Sequence, residues 1–377
     1  MILENDVIPI LKELIKFRTV NPPGKTIEAI KYMAEMFENS GIKCKIQEYK
    51  EGHANLIAEY GEGEESVILC GHIDVVPAGD ESKWSYPPFS GEEHDGKIYG
   101  RGSTDMKGAI ASFIAVIKYL KQLNVKLNGK IKLLITSDEE LGMEGAKVSL
   151  KTGEMENCTF ILVGEPTELK IAKAQKGVFW VKIKIKGESA HGSTPHLGVN
   201  SIEAATELIP KMKETVPDLN HHLLGKSTLN IGQIKGGTAP NVVPEYCEFT
   251  LDYRIIPNVD RETIKESIKN IISDFNENNK SQAEMEIMQD TPSIDMTQES
   301  RFLDLLKRRA EKDNYGSIFG VTFGTDGAIL VPENNTAFAI FGPGRLDKLH
   351  VTDEYTLKEE VIAYSNIILD TILQYYK

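Results

Sequence analysis

The sequence is poor in the features that mark several protein classes. Its 377 residues include only four cysteines, at Cys44, Cys70, Cys158 and Cys247, and none of them forms a CxxC pair. No apolar run reaches the roughly 18 residues that a membrane span needs, so we expect no transmembrane helix. The first residues, MILENDVIPILKELIKF, predict an amphipathic helix and not a signal peptide. The scattered cysteines favour a reducing compartment, and we expect a cytoplasmic protein.

Positively charged residues are also few, and the motifs for nucleotide binding and for a nucleophilic serine are incomplete. Lys and Arg total 43 against 56 Asp and Glu, a formal net charge of −13, and no basic cluster interrupts the acidity. We therefore expect no nucleic-acid partner. LLGKST has Asn220 where a P-loop needs its first glycine, and GESAH ends at His191 where a GxSxG elbow needs glycine. Nucleotide binding and a serine nucleophile are therefore not indicated.

The hydrophobic pattern predicts an α/β fold with an inserted domain. Short apolar strands alternate with helices in the first part of the chain, which is typical of a mainly parallel sheet. From about Lys176 the pattern changes, because VFWVKIKIKG alternates apolar residues with lysine as a strand with one wet face does. The order there is strand, helix, strand, strand, helix, strand, as in an α+β (ferredoxin-like) sandwich. We predict a discontinuous main domain, residues 1–176 and 292–377, interrupted by a second domain of residues 177–291.

The individual elements follow from the same periodicity. Predicted helices cover residues 6–17, 26–39, 109–123, 144–150, 201–216, 261–276 and 299–312, and a last helix begins at Leu357. Predicted strands cover residues 43–49, 55–60, 67–69, 130–136, 160–163, 228–234, 248–254, 283–289 and 336–341. Thr356 and Glu359 form a capping-box pattern for the last helix.

Acids and histidines follow the apolar runs of the main domain. The candidates are His72, Asp74, Asp105, Glu139, Glu140, Glu165 and His350. In LLITSDEELG, three carboxylates stand together at the end of a core strand although they repel one another and resist desolvation. In open α/β sheets, ligands collect at the carboxyl ends of strands. We therefore expect these side chains to converge on one crevice that holds positive charge.

Each candidate alone has an ordinary explanation. His72 and Asp74 face the same side of an extended backbone, where the carboxylate can hold the second imidazole nitrogen, but they are equally compatible with a surface turn. Glu139 and Glu140 could be acids at a helix N-terminus, and Asp105 could belong to a polar turn. It is their joint occurrence after apolar runs that favours a shared site.

The residue types indicate the kind of metal. Two histidines with several carboxylates suit zinc, cobalt or manganese better than calcium, which prefers oxygen ligands. One catalytic zinc needs about three protein ligands and a water. The supply in this sequence is sufficient for two ions about 3.5–4 Å apart with one bridging carboxylate.

Several longer motifs resemble a known family. They are GHIDVVPAGDESKW, PPFSGEEHDGKIYGRGSTDMKG, ITSDEELG, VGEPT, SAHGSTPHLGVN, GGTAPNVVPEYCEFTLDYR, FGTDGA and LHVTDEY. In this order they resemble the M20 metallopeptidase/deacylase family, and in particular its acetylornithine deacetylase/succinyl-diaminopimelate desuccinylase branch. The likeness runs from about Thr19 to Tyr355, nearly the whole chain.

The resemblance implies a catalytic domain with two zinc ions, with cobalt or manganese as alternatives. His72 and Glu165 would hold one zinc, Glu140 and His350 the other, and Asp105 would bridge them. The resemblance also implies that the inserted domain is a lid through which the protein forms a homodimer.

Further roles follow from the same resemblance. Asp74 would orient His72, and Glu139 would be the general base. His191 matches a lid histidine that reaches into the partner's active site, although by itself it would be taken for an ordinary loop histidine. The residues implied in substrate binding are Asn241, Arg254, Gly324, Thr325 and Asp326.

The implied function is hydrolysis of the amide bond of an N-acyl amino acid by a metal-activated water, in amino-acid biosynthesis. The residue chemistry agrees: Glu139 can carry a proton to the leaving amine, His191 can stabilise an oxyanion, and Arg254 suits a carboxylate.

One departure leaves the substrate open. Bacterial desuccinylases carry an Arg-Arg-Gly-Ser element near the start of the lid, where this chain reads AQKGVFW with Lys176 and Gly177. An acetylornithine-like substrate, another N-acyl amino acid or a dipeptide remains compatible, so an M20-type dipeptidase or carboxypeptidase is an alternative. A catalytically silent homologue is a further alternative, although all the metal and base positions carry competent residues.

Overall fold

The computed structural model describes residues 3–331 and 336–377. Within them the chain forms two compact units. Unit 1 comprises the described parts of Met1–Lys173, Met296–Phe319 and Thr325–Lys377, and unit 2 comprises Ala174–Asp295 and Gly320–Gly324. The segment Gly320–Gly324, which was expected in the main domain, joins unit 2. Its Val321 carbonyl accepts a hydrogen bond from the Lys176 backbone N–H at 3.2 Å.

The helices and strands fall into three stretches of the chain. The first stretch contains α1 (Glu4–Lys16), α2 (Ile27–Glu38), β1 (Lys43–Lys50), β2 (His53–His72), β3 (Glu93–His94), β4 (Lys97–Tyr99), α3 (Gly108–Gln122), β5 (Asn128–Thr136), α4 (Glu144–Lys151), β6 (Cys158–Val163) and β7 (Ile171–Gln175). The middle stretch contains β8 (Gly177–Lys186), α5 (Ser201–Lys213), β9 (Asn220–His221), β10 (Gly225–Lys226), β11 (Thr228–Gly236), β12 (Tyr246–Ile255), α6 (Arg261–Asn278), β13 (Gln282–Thr291) and β14 (Ile294–Asp295). The last stretch contains α7 (Arg301–Glu311), β15 (Ile318–Val321), α8 (Gly327–Leu330), β16 (Ala337–Ile340), β17 (Tyr355–Leu357) and α9 (Lys358–Tyr375).

The sheet of unit 1 has a parallel centre. β6 runs parallel to β2 and to β16, and the second arm of β2 runs parallel to β5. Cys70 lies opposite Val163, and His72 lies opposite Thr136, so β2, β5 and β6 end at the same edge. β1 and β7 add antiparallel pairings, which makes the sheet mixed. The predicted α/β class is confirmed, and the two strands predicted at 55–60 and 67–69 are parts of the single strand β2.

Helices bury the apolar residues that their periodicity predicts. α3, GAIASFIAVIKYLKQ, is buried along most of its length. It packs against α9, with the rings of Phe113 and Tyr364 5.7 Å apart. Truncating a buried phenylalanine such as Phe113 to alanine typically costs about 3–5 kcal/mol. Among the described residues, no helix has both the length and the apolarity needed to cross a bilayer.

Unit 2 is an α+β sandwich. Its four-stranded sheet has the order β11-β12-β8-β13 with antiparallel neighbours, and α5 and α6 complete the predicted strand-helix order. Alternate residues of β8, including Val181 and Ile183, are buried, whereas its lysines lie on the other face. Asn200 caps α5 by accepting from the backbone N–H groups of Ile202 and Glu203.

The capping-box prediction for the last helix is wrong. Thr356 lies in β17, opposite Ile98 of β4, because the chain pairs with a neighbouring strand before the helix begins. α9 starts at Lys358, and its N-cap residue, Leu357, offers no side-chain acceptor.

Candidate metal centre

Three predicted ligand segments meet at the carboxyl edge of the unit 1 sheet. His72 is the last residue of β2, Glu139 and Glu140 follow β5, and Glu165 follows β6. Because these strands end together, their polar side chains are brought to one edge. This is the convergence that the sequence pattern predicted.

Asp105 lies between two imidazoles. Its Oδ1 is 3.1 Å from Nε2 of His72, and its Oδ2 is 3.2 Å from Nε2 of His350. Glu165 approaches the same His72 nitrogen at 3.5 Å, and Glu140 approaches the same His350 nitrogen at 3.3 Å. The predicted two ligand pairs and the carboxylate expected between them therefore lie in contact.

The ligand atoms form two overlapping groups. Potential ligand atoms of His72, Glu139 and Glu165 all lie within 4.8 Å of one another, and so do those of His72, Asp105 and Glu140. Nitrogen and carboxylate donors at this spacing fit divalent transition ions, which accept mixed N/O ligands. Glu139, expected as a base and not as a ligand, is itself a member of the first group.

The Asp105 segment is held in a tight turn. Gly102 has φ +85°, and a Cβ there would lie 2.7 Å from Val75 Cγ1 and 3.1 Å from Lys107 Cδ. Glycine is therefore required where the chain turns toward Asp105.

Burial and crowding shift the pKa values of the cluster. Burial raises the pKa of Glu165 to about 8, and Asp105 adds to the rise while His72 opposes it. Burial also raises the pKa of Glu139 well above its usual range. Hydrogen bonds to Asp105 and Glu140 raise the pKa of His350 to about 10. The pKa of Asp105 moves the other way: burial opposes its ionisation, but hydrogen bonds to His350 and His72 lower its pKa below the usual range. The flanking carboxylates therefore favour the protonated form, whereas Asp105 between the two imidazoles stays ionised.

Access to the cluster is uneven. The His72 side chain is 1% exposed and that of Asp105 12%, whereas the His350 side chain is 50% exposed. Within unit 1, the His350 side of the cluster is therefore the one that solvent reaches most readily.

The carboxylate of Asp74 holds the backbone of Glu139 and Glu140, and Asp74 contacts His72 mainly through its own backbone. Nδ1 of His72 lies 2.9 Å from the Asp74 carbonyl oxygen but 3.7 Å from the carboxylate. The Asp74 carboxylate instead accepts from the backbone N–H groups of Glu139 at 3.2 Å and Glu140 at 3.3 Å, and from Asn21 Nδ2 at 2.9 Å. The imidazole contact that the sequence suggested for this carboxylate is made by the main chain.

The predicted lid residues lie in unit 2. Gly192, next to His191, donates its backbone N–H to the Asn241 carbonyl at 2.7 Å. The segments that carry the two predicted residues, His191 and Asn241, are therefore neighbours. Arg254 pairs with Asp252, with Nε 2.8 Å from Oδ1. Gly324 also belongs to unit 2.

Thr325 and Asp326 belong to unit 1 and are buried. Asp326 is 2% exposed and accepts a hydrogen bond from Thr136 Oγ1 at the end of β5. Burial raises the pKa of Asp326 to about 6. A direct contact of this carboxylate with substrate, as the motif suggested, is not favoured by its burial.

Sequence reasoning missed several polar residues that support the cluster. Asn21 donates to both Asp74 and Asp138, at 2.9 Å each. Glu354 accepts from the Asp105 backbone N–H at 3.2 Å and pairs with Arg101. Each lies inside a recognisable motif or turn, but no periodicity marks it, because its partners are distant in sequence.

Comparison with curated proteins identifies relatives along the whole chain. The sequence is 30% identical over 406 aligned positions to a probable succinyl-diaminopimelate desuccinylase of Staphylococcus aureus strain N315, covering 99% of this chain and 98% of the relative. It is 30% identical over 359 positions to an acetylornithine deacetylase of Pasteurella multocida strain Pm70, covering 91% and 90%.

Solved structures share the fold at lower identity. The M20 family metallo-carboxypeptidase Sso-CP2 from Sulfolobus solfataricus has a TM-score of 0.85 at 18% identity, with 97% of this chain and 98% of that chain covered. The Bacillus subtilis YXEP protein, a dinuclear metal binding peptidase from the M20 family, has a TM-score of 0.75 at 18% identity, with 100% and 99% covered.

The family assignment rests on more than half of the sequence. The model for peptidase family M20/M25/M40 matches residues 68–374, and the curated relatives extend the likeness to nearly every residue. The resemblance seen in the motifs is confirmed: this chain belongs to peptidase family M20/M25/M40.

Proposed function

We propose that the protein is a metal-dependent amidohydrolase that releases a free amino acid from its N-acyl form. The observation that carries this proposal is the convergence of Asp105, flanked by His72 and His350, with Glu139, whose carboxylate belongs to one of the two ligand groups. The names of the curated relatives, a probable desuccinylase and a deacetylase, support an N-acyl amino acid as the substrate class.

The ligands are assigned as the contacts suggest. His72 and Glu165 would hold one cation, Glu140 and His350 would hold the other, and Asp105, which contacts both imidazoles, would be shared between them. Zinc is the expected metal, with cobalt or manganese as alternatives that accept the same donors. The chemistry supplied by the bound pair is Lewis acidity, which lowers the pKa of water toward about 7 and polarises a carbonyl group.

The chain's own residues carry the proton and bind the substrate. Glu139 takes a proton from the attacking water and delivers it to the leaving amine nitrogen. Its raised pKa suits a group that must hold that proton between the two steps. His191 donates to the developing oxyanion, and Asn241 and Arg254 bind the substrate carboxylate. Gly324 lines the substrate site, and the buried Thr325 and Asp326 support it from behind.

Two further properties belong to this proposal. The protein works as a cytoplasmic homodimer assembled through unit 2, with His191 of one protomer serving the active site of its partner. The alternative activity is that of a dipeptidase or carboxypeptidase that uses the same centre. It stays open because Lys176 and Gly177 stand where bacterial desuccinylases carry an Arg-Arg-Gly-Ser element, which weakens the desuccinylase assignment.

A substrate panel tests the proposal. Metal-stripped protein is supplied with zinc, cobalt or manganese and assayed on N-acetyl amino acids, N-succinyl amino acids and dipeptides. We expect N-acyl amino acids to give the highest kcat/KM, and Glu139→Gln to lower kcat by about 10²–10⁴-fold while metal binding is retained.

Glu144→Gln is the matched control, because Glu144 follows shortly after in the chain but is exposed and pairs with Lys147. It should behave as wild type. Preference for dipeptides would select the alternative activity, and near wild-type activity of Glu139→Gln would exclude Glu139 as the base. No hydrolysis, with fewer than one cation bound per chain, would indicate a silent homologue.

A further inference from the structure

A buried carboxylate outside the ligand set joins two ligand-bearing segments. Glu354 is fully buried, and its Oε2 accepts from Arg101 Nη1 at 2.5 Å. Its Oε1 accepts from the backbone N–H of Thr104 at 2.9 Å and of Asp105 at 3.2 Å. One side chain therefore fixes the main chain at the central carboxylate of the cluster.

The same acid belongs to the segment that carries His350. The Glu354 carbonyl oxygen accepts from the Gly100 backbone N–H at 2.9 Å, and the next carbonyl, of Tyr355, accepts from Thr104 Oγ1 at 2.6 Å. Main-chain and side-chain bonds at Glu354 and Tyr355 thus attach the segment that directly follows His350 to the Asp105 segment.

Arg101 extends the connection to a third segment. It is 2% exposed, and its Nη2 donates to the Pro77 carbonyl at 3.3 Å. Its guanidinium also lies 5.3 Å from the ring centroid of Trp84, whose Nε1 donates to the Ala78 carbonyl at 2.9 Å. This segment follows Asp74, so one ion pair contacts three stretches of chain around the cluster.

A buried ion pair is weak evidence for a stabilising role, because desolvation offsets most of its Coulomb attraction. The effect of such a pair on geometry is more specific, because groups that hydrogen-bond to metal ligands fix the position of those ligands and so influence the affinity for the metal. We propose that Arg101 and Glu354 are positioning residues that fix Asp105 relative to His350 and thereby set the affinity of the second cation subsite, formed by Asp105, Glu140 and His350. This inference rests on the proposed dinuclear centre.

Cobalt binding without substrate tests it. Metal-stripped full-length protein is titrated with Co²⁺, followed by calorimetry and by the visible absorption of the bound ion. Wild type should bind two ions. Glu354→Gln, which removes the charge, and Glu354→Asp, which shortens the reach, should weaken the second ion by about 10- to 100-fold, leave the first within about threefold, and alter the cobalt spectrum.

Two further variants complete the design. Arg101→Lys keeps the charge and should weaken the second ion less than Arg101→Met does. Lys132→Met is the control, because Lys132 is similarly buried in unit 1 but donates to the Glu154 carbonyl, at 2.6 Å. It should lower the unfolding temperature of the metal-free protein without changing either cobalt affinity.

The outcomes separate this inference from the proposed function. If the Glu354 variants fold and bind both ions with wild-type affinity and spectrum, the pair is only structural and the inference is overturned. The same holds if they lose metal-free stability while both affinities stay unchanged. If wild type itself binds fewer than two ions, the dinuclear proposal fails and this inference fails with it.

Discussion

Nδ1 of His72 lies 2.9 Å from the backbone carbonyl oxygen of Asp74. The imidazole is thereby oriented by the main chain, with Nε2 directed toward Asp105. The Asp74 carboxylate is left to hold the backbone of Glu139 and Glu140, where Asn21 supports it. The side chain of Asp74 thus acts on the backbone of Glu139, the proposed base, and of Glu140, a proposed ligand, more than on His72.

This arrangement predicts the effect of Asp74→Asn. An amide can accept through only one atom, so it cannot hold both backbone N–H groups and Asn21 as the carboxylate does. We expect kcat/KM to fall by about 10–100-fold and binding at the Glu140 subsite to weaken. Binding at the His72 subsite should stay within about threefold of wild type, because the Asp74 carbonyl remains.

Cobalt titration and steady-state kinetics measure both effects. Asp80→Asn, at an exposed turn residue, serves as the control. Selective loss of the His72 subsite in Asp74→Asn would mean that the carboxylate orients the imidazole after all.

Asp326 predicts a pH dependence of stability in the metal-free protein. Burial raises the pKa of this carboxyl from 3.8 to about 6, although the Thr136 hydroxyl opposes the rise. Between these values the unfolded chain has lost the proton while the folded chain keeps it, so the free energy of unfolding falls as pH rises. Above pH 6 this loss is complete, and it is on the order of 2–3 kcal/mol.

Asp326→Asn should remove that loss. The variant should match wild type near pH 4 and exceed it in the free energy of unfolding by about 2–3 kcal/mol at pH 7–8. Urea unfolding at several pH values, without metal, measures the difference. A difference that does not change between pH 4 and pH 8 would show that Asp326 does not titrate in this range.

Mixed dimers test the proposed role of His191. Glu139→Gln and His191→Ala protomers should each be nearly inactive alone. If His191 serves the partner's site, a mixed dimer contains one intact site, and random exchange of subunits should restore about a quarter of wild-type activity. Activity is measured after co-refolding or co-expression of the two variants. No recovery, with mixed dimers verified by differential tags, would place His191 in its own protomer's site or outside catalysis.

The sequence predicted most of what local patterns encode. Periodicity located the principal helices and strands, and the acids after apolar runs located the cluster, because parallel strands end together. Thr356 misled the capping prediction, since its pairing with Ile98 is a long-range contact that no local pattern records. The short strand β7 was missed because five residues carry little periodic signal.

The supporting residues were harder to predict for a related reason. Asn21 and Asp74 are 53 residues apart, and Asp105 and Glu354 are 249 apart. Such contacts depend on how the whole sheet is assembled. The sequence likewise assigned Asp74 to His72 from their spacing, whereas the fold gives that contact to a backbone carbonyl, a group that every residue carries.

The proposed chemistry depends above all on two cations sharing Asp105. A crystal grown with Zn²⁺ and measured at the zinc absorption edge would reveal the ions directly by anomalous scattering. We expect two peaks about 3.5–4 Å apart, one beside His72 and Glu165 and the other beside His350 and Glu140, with Asp105 between them. A single peak at full occupancy, or peaks that do not contact Asp105, would contradict the shared-carboxylate centre.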